Sequence, residues 1–300
     1  MDIVVLDEPA VQQRLRYQDL IPAIAQALAA LSSGKVVQPV RTVLPVAPHH
    51  GFFAVMPAYA DGGAGGLGAK LVTFYPQNVG VHTHHAVIVM LKAETGEPLA
   101  MMDGRLITEM RTAAASAVAT ERLARPDTSV LAILGSGVQA KSHLAALRHV
   151  RSFKEVRVWS PRNAPAFAQR HGVKAAATAA DAVRGADVVV VAVNATTPVL
   201  QGRWLAPGTH VNAIGATRPD WRELDDDLVT TARIFVDSRE AALRESGDVI
   251  AARNEVTEIG AVVAGVDPGR RNAEEITLFK SVGVAVEDVA AAALVLQHKG

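Results

Sequence analysis

Residues 130–140 have the sequence VLAILGSGVQA, and they decide the fold class of the chain. The apolar run Val130–Leu134 predicts a buried strand, and the segment from Gln139 to His149 predicts a helix. The turn between them has the pattern G-x-G-x-x-A. Its first glycine permits a tight turn, its second lets a pyrophosphate approach the backbone, and the helix N-terminus favours the anion. We therefore predict a dinucleotide site whose binding residues include Gly135, Ser136, Gly137, Val138 and Gln139.

Downstream of this stretch, apolar runs alternate regularly with helix-like segments. Unbroken Val and Ile runs that are separated by helices predict a parallel sheet covered on both faces. The tail from about Glu274 to Gly300 is rich in Ala and Val and predicts a helix that returns to the first part of the chain. The predicted strands are Val156–Trp159, Val188–Val193, Val211–Ile214 and Ile234–Val236, and a helix is predicted over Ala164–Arg170.

Upstream of residue 125, strand-like and helix-like segments follow each other in no regular order. Apolar residues at helical spacing predict a helix over Val11–Leu31, and an alanine-rich segment predicts another over Leu106–Arg122. Short β-rich runs predict the strands Phe52–Met56, Ala69–Tyr75, Ala86–Leu91 and Pro98–Met102. The fold class is therefore α/β, with a Rossmann-type parallel-sheet dinucleotide domain beside an α+β domain.

The end of the strand after the glycine turn indicates which nicotinamide cofactor binds. An NAD site usually carries Asp or Glu there, about twenty residues on, to accept hydrogen bonds from the ribose hydroxyls. Here the strand ends at Trp159 and continues as Ser160-Pro161-Arg162, without a carboxylate. Ser160 and Arg162 can instead hold a 2′-phosphate by a hydrogen bond and by charge. We therefore expect NADP (as NADPH) in preference to NAD.

Composition excludes several classes of protein. The 300 residues include 30 Lys and Arg, 30 Asp and Glu, and no cysteine. Balanced charge gives no general attraction to nucleic acid, and the absence of cysteine excludes disulfides, thiolate zinc sites and a cysteine nucleophile. The first ten residues lack the features of a secretory signal, and no apolar run is long enough to span a membrane. We expect a cytoplasmic protein without nucleic-acid or membrane partners.

Three conspicuous motifs do not point to chemistry. Gly62–Lys70 is rich in glycine, but a phosphate loop needs Gly-Lys followed directly by Ser or Thr, so we interpret it as a flexible turn with Lys70 at the start of a strand. His82–His85 has no third ligand at a recognisable spacing, so we predict no metal site. The acidic run Asp225–Asp227 is interpreted as a solvated helix start.

Nine short motifs in collinear order, from about residue 30 to 295, resemble the ornithine cyclodeaminase/mu-crystallin family. The motif RTAAAS at Arg111–Ser116 and the motif FKS at Phe279–Ser281 are distinctive. The other motifs are Gln38–Arg41, Met56–Tyr59, Gly68–Val72, Thr83–Ala86, the turn at 135–140, Ile214–Ala216 with Glu223-Leu224, and Glu245–Asp248.

The resemblance implies a homodimer with a small carboxylate as substrate. It implies that residues 1–120 with 278–300 form the substrate-binding and dimerisation domain, and that residues 121–277 form the NADP-binding domain. Arg41, Lys70 and Arg111 are implied to hold the carboxylate. Arg offers a bidentate fork, and Lys offers a point charge or a proton. The resemblance further implies that Thr83, His84 and His85 lie beside the cofactor and that Ser281 lies near the nicotinamide.

One departure from the cyclodeaminase pattern favours the ketimine reductase branch of the family. Cyclodeaminases carry an aspartate two residues after the glycine of the Ile214-Gly215 segment, where this chain has Thr217. A hydroxyl cannot serve as a base in the way that a carboxylate does. We therefore expect an NADPH-dependent oxidoreductase that acts on C=N and reduces Δ1-pyrroline-2-carboxylate or Δ1-piperideine-2-carboxylate, compounds of proline metabolism.

Three alternatives stay open at this point. An amino-acid dehydrogenase of the alanine type would use a 2-oxo acid and ammonia. An ornithine cyclodeaminase would release ammonia without net consumption of NADPH. A small-molecule binding protein of the mu-crystallin type would bind NADPH and ligand without turnover.

Overall fold

The structure of the protein, a computed structural model, describes residues 3–298 apart from the side chain of residue 64. The chain divides into two compact units. Unit 1 contains the residues up to Arg111 together with those from Gly283 onward, and unit 2 is Thr112–Val282. The sequence placed the corresponding boundaries at residues 120 and 277.

Unit 1 is built on an antiparallel sheet to which one parallel edge strand is added. The strand order is β1-β7-β6-β5-β4-β2, β3 also pairs with β4, and only β1 runs parallel to its neighbour among the described residues. The strands are β1 (Val4–Leu6), β2 (Val36–Val37), β3 (Thr42–Val46), β4 (Gly51–Ala60), β5 (Gly66–Phe74), β6 (His84–Leu91) and β7 (Pro98–Asp103). The helices are α1 (Glu8–Arg14), α2 (Tyr17–Ser32), the start of α3 (Arg105–Leu123), and α11 (Ala285–Gln297).

Two glycines at the N-terminal end of β5 let helix α11 lie directly on the sheet. A Cβ atom on Gly65 would lie 3.1 Å from one Val289 methyl, and one on Gly68 would lie 3.4 Å from the other. Strand β5 begins at Gly66, so Lys70 lies in the middle of the strand and not at its start. That part of the prediction was wrong, because glycine does not end a strand where a helix needs to approach its backbone.

Unit 2 is an eight-stranded, fully parallel sheet in the order β10-β9-β8-β11-β12-β15-β13-β14. Successive side chains of a strand point to opposite faces, and every residue of β11, β12 and β15 is buried. Both faces of the sheet are therefore covered, and the predicted α/β class with a Rossmann-type domain is confirmed.

The elements of unit 2 follow the predicted alternation of strand and helix. The strands are β8 (Val130–Leu134), β9 (Glu155–Trp159), β10 (Lys174–Ala175), β11 (Val188–Val191), β12 (His210–Ala213), β13 (Arg233–Val236), β14 (Val256–Glu258) and β15 (Thr277–Lys280). The helices are α4 (Val138–Val150), α5 (Ala164–His171), α6 (Ala179–Val183), α7 (Asp226–Thr231), α8 (Arg239–Glu245), α9 (Gly247–Ala252) and α10 (Ile259–Val263).

Two predicted helices were wrong in extent. The tail is not helical from Glu274, since Thr277–Lys280 is a fully buried strand between β12 and β13, and the helix begins only at Ala285. The N-terminal helix is interrupted, because Leu15 and Arg16 adopt extended backbone conformations between α1 and α2. Leu15 is thereby buried. Asp225 behaves as predicted, because its side chain caps α7 by accepting from the Leu228 amide.

Within residues 3–298, no helix is long and apolar enough to cross a membrane. A cytoplasmic location stays a prediction.

Candidate active site

Lys70 occupies the buried face of β5, where a lysine needs a counter-charge. It pairs in register with Met56 and Ile88, which are buried on the same side of the sheet. Its Nζ lies 2.7 Å from Oδ2 of Asp288 on α11, and both side chains are almost completely inaccessible to water. A lysine in the middle of a sheet is stable only with such a partner, since an isolated buried charge is strongly unfavourable.

Arg111 contacts the same helix. Its Nε lies 2.9 Å from Oδ1 of Asp288 and its Nη1 lies 2.7 Å from Oε2 of Glu287. Asp288 therefore bridges Lys70 and Arg111 with its two oxygens. Both carboxylates belong to the first turn of α11, where the helix dipole favours negative charge. We call Lys70, Arg111, Glu287 and Asp288 the α11 cluster.

Arg41 joins the α11 cluster through the backbone that leads into the helix. Its Nη2 donates to the Gly283 carbonyl at 2.6 Å, and a Cβ atom on Gly283 would lie only 2.6 Å from Nη1 of Arg111. The three predicted carboxylate-binding cations are thus gathered around residues 283–288 of unit 1.

Burial tunes the protonation of this site. Burial lowers the pKa of Lys70 to about 7, with Arg111 and Arg41 acting in the same direction and Asp288 opposing them. For Asp288 burial alone would raise the pKa, but Arg111 and Lys70 hold it below its usual value. Burial, Lys70 and Arg111 together lower the pKa of His84 to about 4. At neutral pH, His84 is therefore a neutral imidazole, and both the charged and the neutral form of Lys70 are populated.

The predicted trio Thr83, His84 and His85 is divided by the alternation of the strand. His84 opens β6 opposite Phe74, on the same side of the sheet as Lys70, and is half-buried. Thr83 and His85 are exposed, and the Thr83 carbonyl accepts from the Tyr75 amide at 2.7 Å. The protonation of His84 thus depends on Lys70 and Arg111.

The glycine turn of unit 2 has the geometry that a dinucleotide requires. It follows β8, and the chain departs to opposite sides of β8 through β9 and β11, which makes this edge a topological switch point. Gly135 has φ +120°, and a Cβ atom there would lie 2.2 Å from the Ala192 carbonyl oxygen. Gly137 starts α4 with open space around its Cα and, among the described residues, no side chain caps that helix. The amides of its first turn fit a pyrophosphate.

Ser136 and Ser160 connect the turn to the end of β9. Their hydroxyl oxygens lie 2.9 Å apart, and Ser160 Oγ also accepts from the Asn163 amide. Arg162 is exposed in the same loop. Ser281, at the end of β15, donates to Oδ2 of the buried Asp237 at 3.0 Å, and the Val282 amide donates to the same oxygen at 2.9 Å. Its hydroxyl is therefore oriented by the sheet of unit 2.

A second buried group of ions lies at the carboxyl ends of β12 and β15. Lys280 Nζ contacts Glu223 Oε1 at 2.6 Å, Asp248 Oδ2 at 3.3 Å and the Gly215 carbonyl at 3.1 Å. Asp248 also accepts from Nε of Arg222 and from the amide of Glu223. Burial raises the pKa of Glu223 to about 7. We call Arg222, Glu223, Asp248 and Lys280 the loop cluster, because it secures the loop that follows β12.

Comparison with known proteins identifies the family. The model of the ornithine cyclodeaminase/mu-crystallin family matches residues 1–299. The chain belongs to this family. It is 49% identical over 287 residues to ketimine reductase mu-crystallin of Macropus fuliginosus, which covers 92% of the chain and 90% of the relative.

Two solved structures of the family share the fold of the chain. Δ1-Pyrroline-2-carboxylate reductase of Thermococcus litoralis, in complex with NADH and L-proline, has a TM-score of 0.93 at 37% identity, covering 98% of the chain and 97% of that protein. An archaeal alanine dehydrogenase dimer with bound NAD has a TM-score of 0.92 at 34% identity, covering 99% of the chain and 96% of that protein.

Sequence reasoning missed Glu287 and Asp288, the carboxylates that hold two of the predicted cations. The predicted helix began near Glu274, so these two acids were not expected in a first turn, where the helix dipole favours negative charge. A usable signal existed, because the two acids interrupt an otherwise apolar, alanine-rich helix. Within residues 3–298, no group of three or more His, Cys, Asp or Glu side chains is arranged to hold a metal ion.

Proposed function

We propose that this protein is an NADPH-dependent reductase of small cyclic α-imino acids, converting Δ1-pyrroline-2-carboxylate and Δ1-piperideine-2-carboxylate to L-proline and L-pipecolate. The observation that carries the proposal is the α11 cluster with Arg41. It gathers three cationic side chains, Arg41, Lys70 and Arg111, around residues 283–288, and charged donors of this kind suit a carboxylate. The activities of two family relatives, a ketimine reductase and a pyrroline-2-carboxylate reductase, support the same reaction.

In this proposal the residues of unit 1 bind and orient the substrate. Arg111 and Arg41 hold the carboxylate through charge-assisted hydrogen bonds, and their fixed partners, Glu287, Asp288 and the Gly283 carbonyl, keep both guanidinium groups in position. Holding the carboxylate orients C2 of the imine, which is the positioning contribution to catalysis. A bound reduced nicotinamide supplies the hydride. Lys70 is the candidate donor of the proton that the ring nitrogen receives.

The experiment is a substrate panel with purified protein and NADPH or NADH. The panel contains five- and six-membered cyclic imino acids, pyruvate with ammonia, pyruvate with methylamine, and L-ornithine. We expect NADPH consumption with both cyclic imines near neutral pH. Turnover limited to pyruvate and ammonia would favour an alanine-type dehydrogenase, and ammonia release limited to ornithine would favour a cyclodeaminase despite Thr217. Tight ligand binding without any turnover would favour a binding protein.

The preference for NADPH rests on Ser160 and Arg162. We expect Arg162→Ala to raise the KM for NADPH by roughly 10- to 100-fold and to change the KM for NADH little, since only NADPH carries the 2′-phosphate. Arg170→Ala is the matched control, because Arg170 is an exposed arginine on the helix that follows this loop. Equal losses for both cofactors would contradict an NADPH preference that depends on Arg162.

We also propose a homodimer formed through the exposed face of the unit 1 sheet. Apolar side chains cover the face opposite α11: Val5, Leu71, Val87 and Met101 are 66%, 37%, 38% and 42% exposed. A sheet that is apolar on both faces needs a cover, and a second copy supplies a matching apolar surface. The archaeal relative described as a dimer supports this choice.

Light scattering after gel filtration tests the dimer. We expect the wild-type protein to have twice the chain mass and Val87→Glu to shift it toward the monomer. Leu243→Glu, at an exposed position on α8, is the control and should leave the mass unchanged. A Val87→Glu protein that remains dimeric would place the interface elsewhere.

A further inference from the structure

The contact between Lys70 and Asp288 implies that ligand binding and proton uptake are linked. Lys70 is inaccessible to water, and Asp288 is the acidic side chain that contacts its Nζ, at 2.7 Å. The other ionisable groups that face it are Arg111 from α3, Arg41 from the segment before β3, and His84 from β6. The two arginines oppose its protonation, and His84 is neutral at neutral pH. Asp288 therefore favours the protonated amine of Lys70, while burial and the two arginines disfavour it.

We propose that Asp288 is a positioning residue for the Lys70 amine, which it contacts at 2.7 Å, and that binding of the substrate carboxylate draws one proton onto Lys70. This inference rests on the proposed function, which places that carboxylate beside Lys70. An added anion favours the charged form of a neighbouring amine. The lowered pKa of Lys70, about 7, supports this reading because both forms are populated near neutral pH.

The proton has a use in the proposed reaction. Reduction of C=N to CH–NH consumes one hydride, which the reduced nicotinamide loses as it is oxidised, and one proton, which is added to nitrogen. A protonated Lys70 can give that proton to the ring nitrogen and then regain one from solvent. Glu287 differs from Asp288 in this respect, because Glu287 Oε2 contacts Nη1 of Arg111, whereas Asp288 Oδ2 contacts Nζ of Lys70. The two adjacent carboxylates are thus a matched pair for experiment.

Isothermal titration calorimetry measures the proton uptake directly. The probe is pyrrole-2-carboxylate, a planar five-membered ring with one carboxylate that cannot be reduced in this way, titrated into protein saturated with NADP⁺. Buffers of different ionisation enthalpy at pH 6–9 give the number of protons bound per ligand. We expect the wild-type protein to take up as much as one proton above pH 7. We expect Lys70→Arg, whose guanidinium stays charged, to take up none.

The two carboxylate variants should behave differently. Asp288→Asn removes the charge that favours protonated Lys70, so the uptake maximum and the alkaline limb of kcat/KM should move down by roughly one pH unit or more. Glu287→Gln should weaken binding of the analogue but leave both pH positions in place. Asp288→Glu keeps the charge and serves if Asp288→Asn does not fold, with the alkaline limb expected to stay where it is in the wild type.

Several results would overturn the inference. Binding of the analogue to the wild type without proton uptake would show that Lys70 does not titrate. Equal shifts in Asp288→Asn and Glu287→Gln would remove the special role of Asp288, and so would a displaced limb in Asp288→Glu. Proton uptake without turnover of any imine would instead refute the proposed reaction and leave the Lys70–Asp288 linkage standing. Failure of the analogue to bind would refute both.

Discussion

The α11 cluster of unit 1 and the loop cluster of unit 2 contain similar ions but direct their hydrogen bonds differently. In the α11 cluster, the carboxylates of Glu287 and Asp288 contact side-chain nitrogens of Arg111 and Lys70. In the loop cluster, Asp248 accepts from the amides of residues 223 and 224, and Lys280 donates to the carbonyl of residue 215. The α11 cluster therefore holds cationic side chains in position, and the loop cluster holds backbone segments in position.

The partners of the cations separate the two clusters as well. Glu287 and Asp288 contact Arg111 and Lys70, and Arg41 donates to the backbone beside them, so three cationic side chains meet around residues 283–288. In the loop cluster, the ions contact one another and the backbone, an arrangement that stabilises the fold. Gathered cationic donors instead suit an anionic ligand. We therefore expect the same kind of substitution to affect folding in unit 2 and substrate binding in unit 1.

The largest difference should appear when each lysine is replaced. Lys280→Met leaves Glu223 and Asp248 buried near each other, and breaking such a pair costs about 3–5 kcal/mol in the free energy of unfolding. Lys70→Met should cost only roughly 1 kcal/mol, because Arg111 still neutralises Asp288. Urea denaturation at pH 7.5 measures both values. Losses of equal size would show that the α11 cluster is as structural as the loop cluster.

Replacement of an arginine in each cluster compares substrate binding. Arg111→Ala should raise the KM for the imine roughly 10- to 150-fold. This corresponds to about 1.5–3 kcal/mol of binding free energy, the contribution of a charge-assisted hydrogen bond. Arg222→Ala removes a guanidinium that also contacts a buried aspartate and should leave that KM unchanged. Steady-state kinetics with saturating NADPH provides the test. An unchanged KM in Arg111→Ala would remove Arg111 from the substrate site.

Next to each cluster lies a glycine without room for a side chain. A Cβ atom on Gly215 would lie 2.3 Å from the Val193 carbonyl, which belongs to the backbone and cannot move aside, so Gly215→Ala should destabilise the protein by about 1–3 kcal/mol. A Cβ atom on Gly283 would meet the Arg111 guanidinium, at a residue with φ +78°. Gly283→Ala should cost about 1 kcal/mol in stability and raise the KM for the imine. Thermal unfolding and steady-state kinetics provide the test. A raised KM in Gly215→Ala and a larger loss of stability in Gly283→Ala would contradict the comparison.

The dependence of stability on pH should have opposite signs in the two clusters. The pKa of Lys70 falls from 10.5 to about 7 on folding, so between these values the unfolded chain binds more protons and stability rises with pH. The pKa of Glu223 rises from 4.5 to about 7, so between these values the folded chain binds more protons and stability falls as pH rises. Each slope is at most about 1.4 kcal/mol per pH unit. Urea denaturation between pH 5 and 10 measures the free energy of unfolding against pH. Lys70→Met should remove the rising slope above pH 7, and Glu223→Gln should remove the falling slope below pH 7. Slopes that these variants leave unaltered would contradict the assignment.

Much of the fold was predictable from local sequence. The strand Val130–Leu134 was predicted with its observed bounds, because an unbroken apolar run before a glycine turn has few alternative structures. Helix α4 and strands β9, β11, β12 and β13 were predicted to within two residues at each end. The strand Thr277–Lys280 was missed because a four-residue strand inside an Ala- and Val-rich tail has no periodicity of its own. Its conformation is imposed by β12 and β13 on either side.

The candidate site was predictable only in part, and for a different reason. Arg41, Lys70 and Arg111 lie far apart in sequence, and nothing in their neighbours distinguishes them from surface cations. Their resemblance to family motifs selected them, and the structure brings them together around residues 283–288. The acidic partners Glu287 and Asp288 were missed because their contacts depend on which face of the sheet α11 covers. No local sequence pattern indicates that face.

By itself, the sequence determined the α/β class, the dinucleotide turn, and the absence of cysteine chemistry, since each of these depends on neighbouring residues or on composition. Only the tertiary structure decided that Lys70 lies within a strand and faces Asp288. It also showed that His84 lies on the same side of the sheet as Lys70 while His85 is exposed. The physical reason is that protonation and charge balance in a buried site depend on distances between side chains that are remote in sequence.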